Sequence, residues 1–242
     1  MIARRLLVLG TCALMLSACG GNLIGPTDEM QTFVVRPTFP PASEGMKVNW
    51  SLSILRPDVP GGLDSDRIAL YQPGGTMDFY AKAQYPDRLP ATVQRALLDG
   101  FEASGRIDAV AREEDALHAD YNLLVEVKDF AAHYATQDGV PATNVTLVAK
   151  LTTNHGRKIL ATKTFAVPGN ASVNSAGATA QALQQSLAAA VTQVVNWTLD
   201  TAPAIVPGTS SDAAANTATP GKNAAQLLHD VTRGSGKSAP PQ

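Results

Sequence analysis

Tyr121-Asn122-Leu123-Leu124-Val125-Glu126-Val127-Lys128-Asp129-Phe130 is the stretch on which the fold turns. It reads as a β-strand, and two more follow it, Val145 to Thr152 and Ile159 to Val167. Gln137-Asp138-Gly139 and Asn154-His155-Gly156 separate them, and these triplets carry the Asn, Asp and Gly that tight hairpin turns require. The last two pairings are therefore expected to be antiparallel. A long helix comes next, from about Ala176 to Leu199. Leu183, Leu187, Val191, Val194 and Thr198 recur at helical spacing, Gln181, Gln184, Gln185, Gln193 and Asn196 fall mostly on the other side, and Trp197 and Leu199 widen the apolar stripe.

Upstream, Val48, Trp50, Leu52 and Ile54 alternate with Asn49, Ser51 and Ser53, the period of a half-buried strand that Arg56-Pro57 ends. Asp66 to Tyr71 is a second strand, stopped by Pro73-Gly74-Gly75, and Met77 to Tyr80 a short third one. Pro90 opens a helix with Val93, Leu97, Leu98 and Phe101 on one face and Gln94, Arg95, Asp99 and Glu102 on the other; Gly105 is placed to cap it. Ile107 to Val110 reads as a short strand, and the charged run Arg112 to Asp120 as a solvated turn or helix. Strands, a helix, further strands and a closing helix predict an α/β fold: a single domain over residues 47–200, with helices packed on one mixed β-sheet.

The flanks differ in composition. Residues 19–46 are polar, carry Pro26, Pro37, Pro40 and Pro41, and predict a tether with an extended stretch near Phe33 to Val35. Residues 201–242 are rich in Ala, Pro, Thr and Ser and too poor in large apolar side chains to offset the entropy of ordering, so they predict a flexible tail with one short helical island, Ala224 to Val231. Residues 1–18 read as an export signal: Arg4 and Arg5, then an apolar run from Leu6 to Leu16 that is too short to span a bilayer. Leu16-Ser17-Ala18-Cys19 closes it with the residue types of a lipobox, and the Cys19 thiol is the expected acceptor of diacylglycerol, with palmitate-type chains completing the anchor. Gly20, in place of Asp, favours the periplasmic face of an outer membrane.

Cleavage there discards Cys12 and commits Cys19 to lipid, which leaves no thiol for a disulfide, a metal site or a nucleophile. It also removes two of the 19 basic residues and none of the 21 acidic ones, so the mature chain is mildly acidic, 17 against 21. Nucleic acid is not an expected partner. His118, His133, His155 and His229 are isolated in sequence and form no metal-ligand spacing. Asp64, Asp66 and Glu113-Glu114-Asp115 read as solvated acidic turns. Ser104, Ser186, His118 and His133 do not form a hydrolase signature, and Gly61-Gly62 and Gly74-Gly75 are turns rather than phosphate loops. No catalytic, cofactor-binding or metal-binding residue is expected, and the lipid-bearing cysteine is the site.

Ser53-Ile54-Leu55-Arg56-Pro57, Asp66-Arg67-Ile68-Ala69-Leu70 and Met77-Asp78-Phe79-Tyr80-Ala81 resemble segments of the ABC-type transport auxiliary lipoprotein family. Tyr85 through Leu89-Pro90 into Val93-Gln94-Arg95-Ala96-Leu97 and Phe101-Glu102-Ala103-Ser104-Gly105 is similar to that family's entry to its first long helix, with Tyr85 where members often carry Trp. Tyr121-Asn122-Leu123, Phe165-Ala166-Val167 and the helix ending at Trp197 also fit. The resemblance implies a three-layer α/β fold and a non-enzymatic accessory of an intermembrane phospholipid transport system, partnered by an MCE-domain protein and held to the outer membrane by its lipid. A periplasmic lipid-binding carrier is the alternative, and it requires an apolar pocket of several hundred cubic ångströms between sheet and helices.

Overall fold

A computed structural model describes residues 29–39, 45–115, 118–154 and 158–203. Its strands are β1 (Gln31–Thr32), β2 (Ser51–Ile54), β3 (Arg67–Tyr71), β4 (Met77–Gln84), β5 (Ala109–Arg112), β6 (Tyr121–His133), β7 (Ala142–Thr153) and β8 (Ile159–Asn170). Its helices are α1 (Leu89–Ser104) and α2 (Ala176–Thr201). The charged run after β5 is one 3-10 turn, Glu113–Asp115, with all three acids exposed.

Strand β6 is the spine. Among the described residues the eight strands form one mixed sheet, ordered β1-β4-β3-β6-β2-β5 on one side, with β7 and then β8 added on the other. β7 lies antiparallel along the whole of one edge of β6, and β8 antiparallel along β7, as the hairpin signals predict. The other edge of β6 is shared. β2 runs parallel to its start, Leu52 against Tyr121 and Ile54 against Leu123, while β3 runs parallel to its end, Leu70 against Ala132 and Tyr71 against His133. Asp120 fixes the first of these junctions by accepting from the Ser51 amide at 2.8 Å and the Ser51 hydroxyl at 2.7 Å.

Alternation decides which face is covered. Leu123, Val125 and Val127 of β6 oppose Leu151, Ala149 and Leu147 of β7, and all six are buried beneath the helices. Helix α2 supplies Leu183, Leu187, Val191 and Val194 to this core, and α1 supplies Val93, Leu97 and Phe101. Each such side chain contributes about 1.5–3 kcal/mol by leaving water, before the entropy of ordering is set against it. The layer is solid: Leu52, Ile54, Val93, Leu97, Leu183 and Leu187 have no exposed surface.

Local signals set the helix ends. Pro90 stands in the first turn of α1, where its missing N–H costs nothing, and Gly105 terminates the helix at φ 60°, a left-handed conformation that glycine adopts without strain. Ser175 caps α2, its hydroxyl accepting from the Ala178 amide at 3.2 Å. Where the helices touch, a Cβ on Gly100 would lie 2.6 Å from Val191 Cγ1, so glycine there permits their close approach.

Two expectations are corrected. Gln94, placed by periodicity on the polar face of α1, is buried at 6% exposure and donates from Nε2 to the Ile54 carbonyl at 3.1 Å; that bond satisfies an amide the core would otherwise reject. The second concerns the tether. Within residues 19–46, Gln31–Thr32 pairs parallel with β4, the Phe33 amide donates to the Gln84 carbonyl, and Arg36 donates its amide to Gln184 Oε1. Phe33, Val35 and Phe39 pack on the core, with Phe39 against Gly100. Residues 29–39 are therefore a strap laid on the domain, since these aromatic and β-branched side chains find apolar surface along the helices.

Candidate functional site

A bulge builds the site. Between Val127 and Asp129 the β6–β7 register shifts by one residue, so Asp129 opposes Thr146 and Phe130 opposes Val145. Before Lys128 the odd-numbered residues of β6 face the helices; after it the even-numbered ones do. Asp129 and His133 are thereby turned onto the face that the helices leave open.

There His133 Nε2 lies 2.8 Å from Asp129 Oδ2, and Asn144 Nδ2 donates to that same oxygen at 2.9 Å and to Thr146 Oγ1 at 3.0 Å. The Tyr71 ring stacks on the His133 ring, with centroids 5.0 Å apart and planes 20° from parallel. The other oxygen, Asp129 Oδ1, is shielded from water and has no partner among the described residues. Beside the group opens a cleft of about 500 Å³, walled by the turn Gln72 to Gly75 and by Lys128, Asp129 and His133. The Lys128 ammonium donates to Glu126 Oε1, and that bond holds the Glu126 carboxyl below its ordinary range.

The opposite face at the same end carries a second polar group, enclosed by helix α2. Tyr80 OH lies 2.7 Å from Tyr134 OH and 2.8 Å from Thr179 Oγ1, and Tyr134 OH donates to Asn174 Oδ1 at 2.6 Å. Burial, reinforced by Tyr134, pushes the Tyr80 phenol upward, against the opposing pull of the Thr179 bond. Tyr85, fully buried edge-on to Phe130, is pushed up by burial as well. A further groove of about 390 Å³ runs between the strap at Val34–Pro37 and helix α1, with Arg36, Arg95, Asp87 and Asp99 on its walls.

The residues singled out by sequence are dispersed. Leu16, Ser17, Ala18 and Cys19 lie outside the described residues, as do His155, His229 and the tail from 204. His118 is exposed, Ser104 is buried and donates to the Phe101 carbonyl at 2.6 Å, Ser186 is buried on α2, and His133 is engaged by Asp129 and Tyr71. Asp64 pairs with Arg88 at 3.0 Å. Among the described residues no group of three or more His, Cys, Asp or Glu side chains is arranged to hold a metal ion, and no helix is long and apolar enough to cross a membrane. Asp129 carries no signal in the sequence and His133 reads there as isolated, because positions four apart in a regular strand stand about 13 Å from each other.

Comparison with known proteins adds four findings. A family model described as the ABC-type transport auxiliary lipoprotein component matches residues 34–195. An uncharacterised protein of Bradyrhizobium diazoefficiens is 28% identical over 149 residues; the match takes in 62% of this chain and 39% of that protein, so the chain spans about two fifths of its relative's length. A crystal structure of a Xanthomonas campestris protein superposes with a TM-score of 0.65 at 28% identity, covering 71% of this chain and 96% of that one. A second structure, of an uncharacterised protein, shares the fold at a TM-score of 0.53 and 15% identity, covering 69% and 98% of the two chains.

Proposed function

The chain belongs to the family of ABC-type transport auxiliary lipoprotein components, and from that membership we propose a docking role in which the domain holds an MCE-type protein of a phospholipid transport system against the outer membrane. The family is one of membrane-anchored lipoproteins of the cell envelope. In this reading Cys19 carries the lipid on the periplasmic face, and the transporter's other components carry the cargo.

The observation that favours docking over lipid carriage is the filled layer between sheet and helices. A carrier needs an apolar cavity there, whereas Leu52, Ile54, Val93, Leu97, Leu183 and Leu187 close that space completely. The clefts described above open elsewhere, one at the end of β3 and β6 and one beneath the strap, and charged side chains lie on their walls. Lipid attachment adds a second support. Confinement to one leaflet raises the effective concentration of any neighbour there, so a weak docking surface can be well occupied.

In-cell photocrosslinking from exposed helix positions, Arg95 on α1 and Gln185 on α2, tests the proposal. One dominant MCE-type protein is the expected product. Recovery of no protein partner, together with lipid copurifying in stoichiometric amount, would transfer the role to a carrier. Cys19→Ala should abolish metabolic palmitate labelling and leave the precursor unprocessed; label retained on that variant would remove the anchor.

A further inference from the structure

The geometry at the end of β3 and β6 points to a receptor for a single guanidinium group, supplied by an arginine on a protein partner. Two features of the cleft carry this. Its wall is a flat platform, the Tyr71 ring stacked on the His133 ring at 5.0 Å, and an arginine plane packs on aromatic faces as a compact ammonium does not. At the platform's edge stands Asp129, with one oxygen fully engaged, accepting from Asn144 and lying 2.8 Å from His133 Nε2, and the other buried without a donor. Among the described residues the Asp129 carboxylate is thus partnered on Oδ2 alone, and Oδ1 is its unanswered half, an acceptor for one charge-assisted N–H bond from a guanidinium.

Charge in the cleft allows it. Lys128, which would oppose a cation, is bonded to Glu126. His133 is held against a carboxylate that it shares with Asn144. The volume, about 500 Å³, exceeds one side chain and fits an extended segment that presents its arginine into the cleft. Since Oδ1 is shielded from water, a donor reaches it only by shifting the cleft wall. The exposed turn beside it, with Gly74 at φ 93° and Gly75 at φ 86° and open space around both, is the part of that wall with fewest neighbours to disturb.

The site rests on the docking role only for the source of the guanidinium, and its test is separate. The mature lipidated protein in detergent micelles is titrated with Nα-acetyl-arginine methylamide and followed by NMR at the His133 ring and the Gly74 and Gly75 amides. Saturable shifts at all three are expected, with no saturation by Nα-acetyl-lysine methylamide at equal concentration, and Asp129→Asn should weaken binding by at least about tenfold, the worth of one good charged contact. Tyr71→Leu leaves the Asp129, His133 and Asn144 bonds in place and should also abolish saturation, which keeps the test open if Asp129→Asn fails to fold. Absence of saturable shifts, equal binding of the lysine compound, or binding of phosphocholine in place of arginine would each overturn the assignment. Continued crosslinking of a partner in cells alongside failed arginine binding would remove this site while leaving the docking role intact.

Discussion

The two faces of strands β6 to β8 are made from the same twelve or so consecutive positions and share almost nothing else. One face carries Leu123, Val125, Val127, Val145, Leu147 and Leu151, dry beneath the helices. The other carries Asn122, Glu126, Asn144, Thr146 and Lys150, all partly exposed, with Asn144 bonded to Thr146 and Asn122 to Asn154 rather than to a second layer of helices. The dry face is replaceable in detail, because apolar side chains of similar volume satisfy it. The wet face is particular: its hydrogen bonds depend on which atom stands opposite which. Stability therefore resides on one side of this sheet and partly exposed polar chemistry on the other, and the bulge at Lys128 is where the strand exchanges them.

Adjacent positions on β8 give the sharpest way to break this comparison. Phe165 is buried edge-to-face with Trp197, while Thr164 is exposed. Phe165→Asp should cost more than about 4 kcal/mol in urea unfolding, since it removes an aromatic side chain and buries a charge without a partner. Thr164→Asp should stay within about 0.5 kcal/mol. Equal costs would mean that the face assignment is wrong.

Between the helices the expected effect is smaller. Gly100→Ala gains about 1 kcal/mol of helix propensity but drives a methyl to 2.6 Å from Val191 Cγ1, on a β-branched side chain with little rotameric freedom. Overpacking of about 1–3 kcal/mol should prevail, for a net loss of about 1–2 kcal/mol by chemical denaturation. A stabilised variant would show that the helices can separate at no cost.

How far the sequence discloses the two faces follows from the same physics. Alternation in β2, β6 and β7 and the helical spacing of α2 are local patterns, and from them the sheet, both helices and most of the core are readable. Gln94 is not, because periodicity assigns it to water while the Ile54 carbonyl, forty residues away, holds it inside. The strap at 29–39 is hidden by Pro37 and by the prolines on either side of it, Pro26, Pro40 and Pro41, which describe a tether equally well until Phe33 and Phe39 meet the helices. Asp129, His133 and Asn144 are least legible of all. Their meeting depends on a one-residue register shift and on a hairpin partner, neither of which leaves a mark in the spacing of the three residues themselves.

On the wet face, His133→Ala should cost below about 1.5 kcal/mol, because the histidine is 40% exposed on its side chain and gives up one hydrogen bond and one ring stack that water partly replaces. Thermal denaturation would register this as a shift of a few degrees for a domain of this size. A loss comparable to that of Phe165→Asp would place His133 in the core and erase the distinction between faces.

The faintest expected effect is silent at neutral pH and separates the faces by titration. Tyr80 and Tyr85 lie toward the enclosed side, and burial raises both phenols above their ordinary value. A raised folded-state pKa on a group that is neutral when protonated means that the folded chain keeps its proton longer than the unfolded chain. Below about pH 10 both states are protonated and stability does not respond to these groups. Above it the unfolded state alone releases protons, so stability falls as pH rises, by at most about 1.4 kcal/mol per pH unit for each phenol, and the loss continues until the folded pKa is reached. Urea midpoints from pH 8 to 11 should thus be flat and then decline, with phenolate absorbance for these two rings appearing only on unfolding. Tyr85→Phe isolates one contribution, because the Tyr85 hydroxyl has no partner among the described residues and its removal breaks no bond there. That variant should be at least as stable as the parent at pH 8 and decline less steeply above pH 10. A Tyr85→Phe chain that declines as steeply as the parent would show that Tyr85 ionises freely, and hence that the enclosed face admits water.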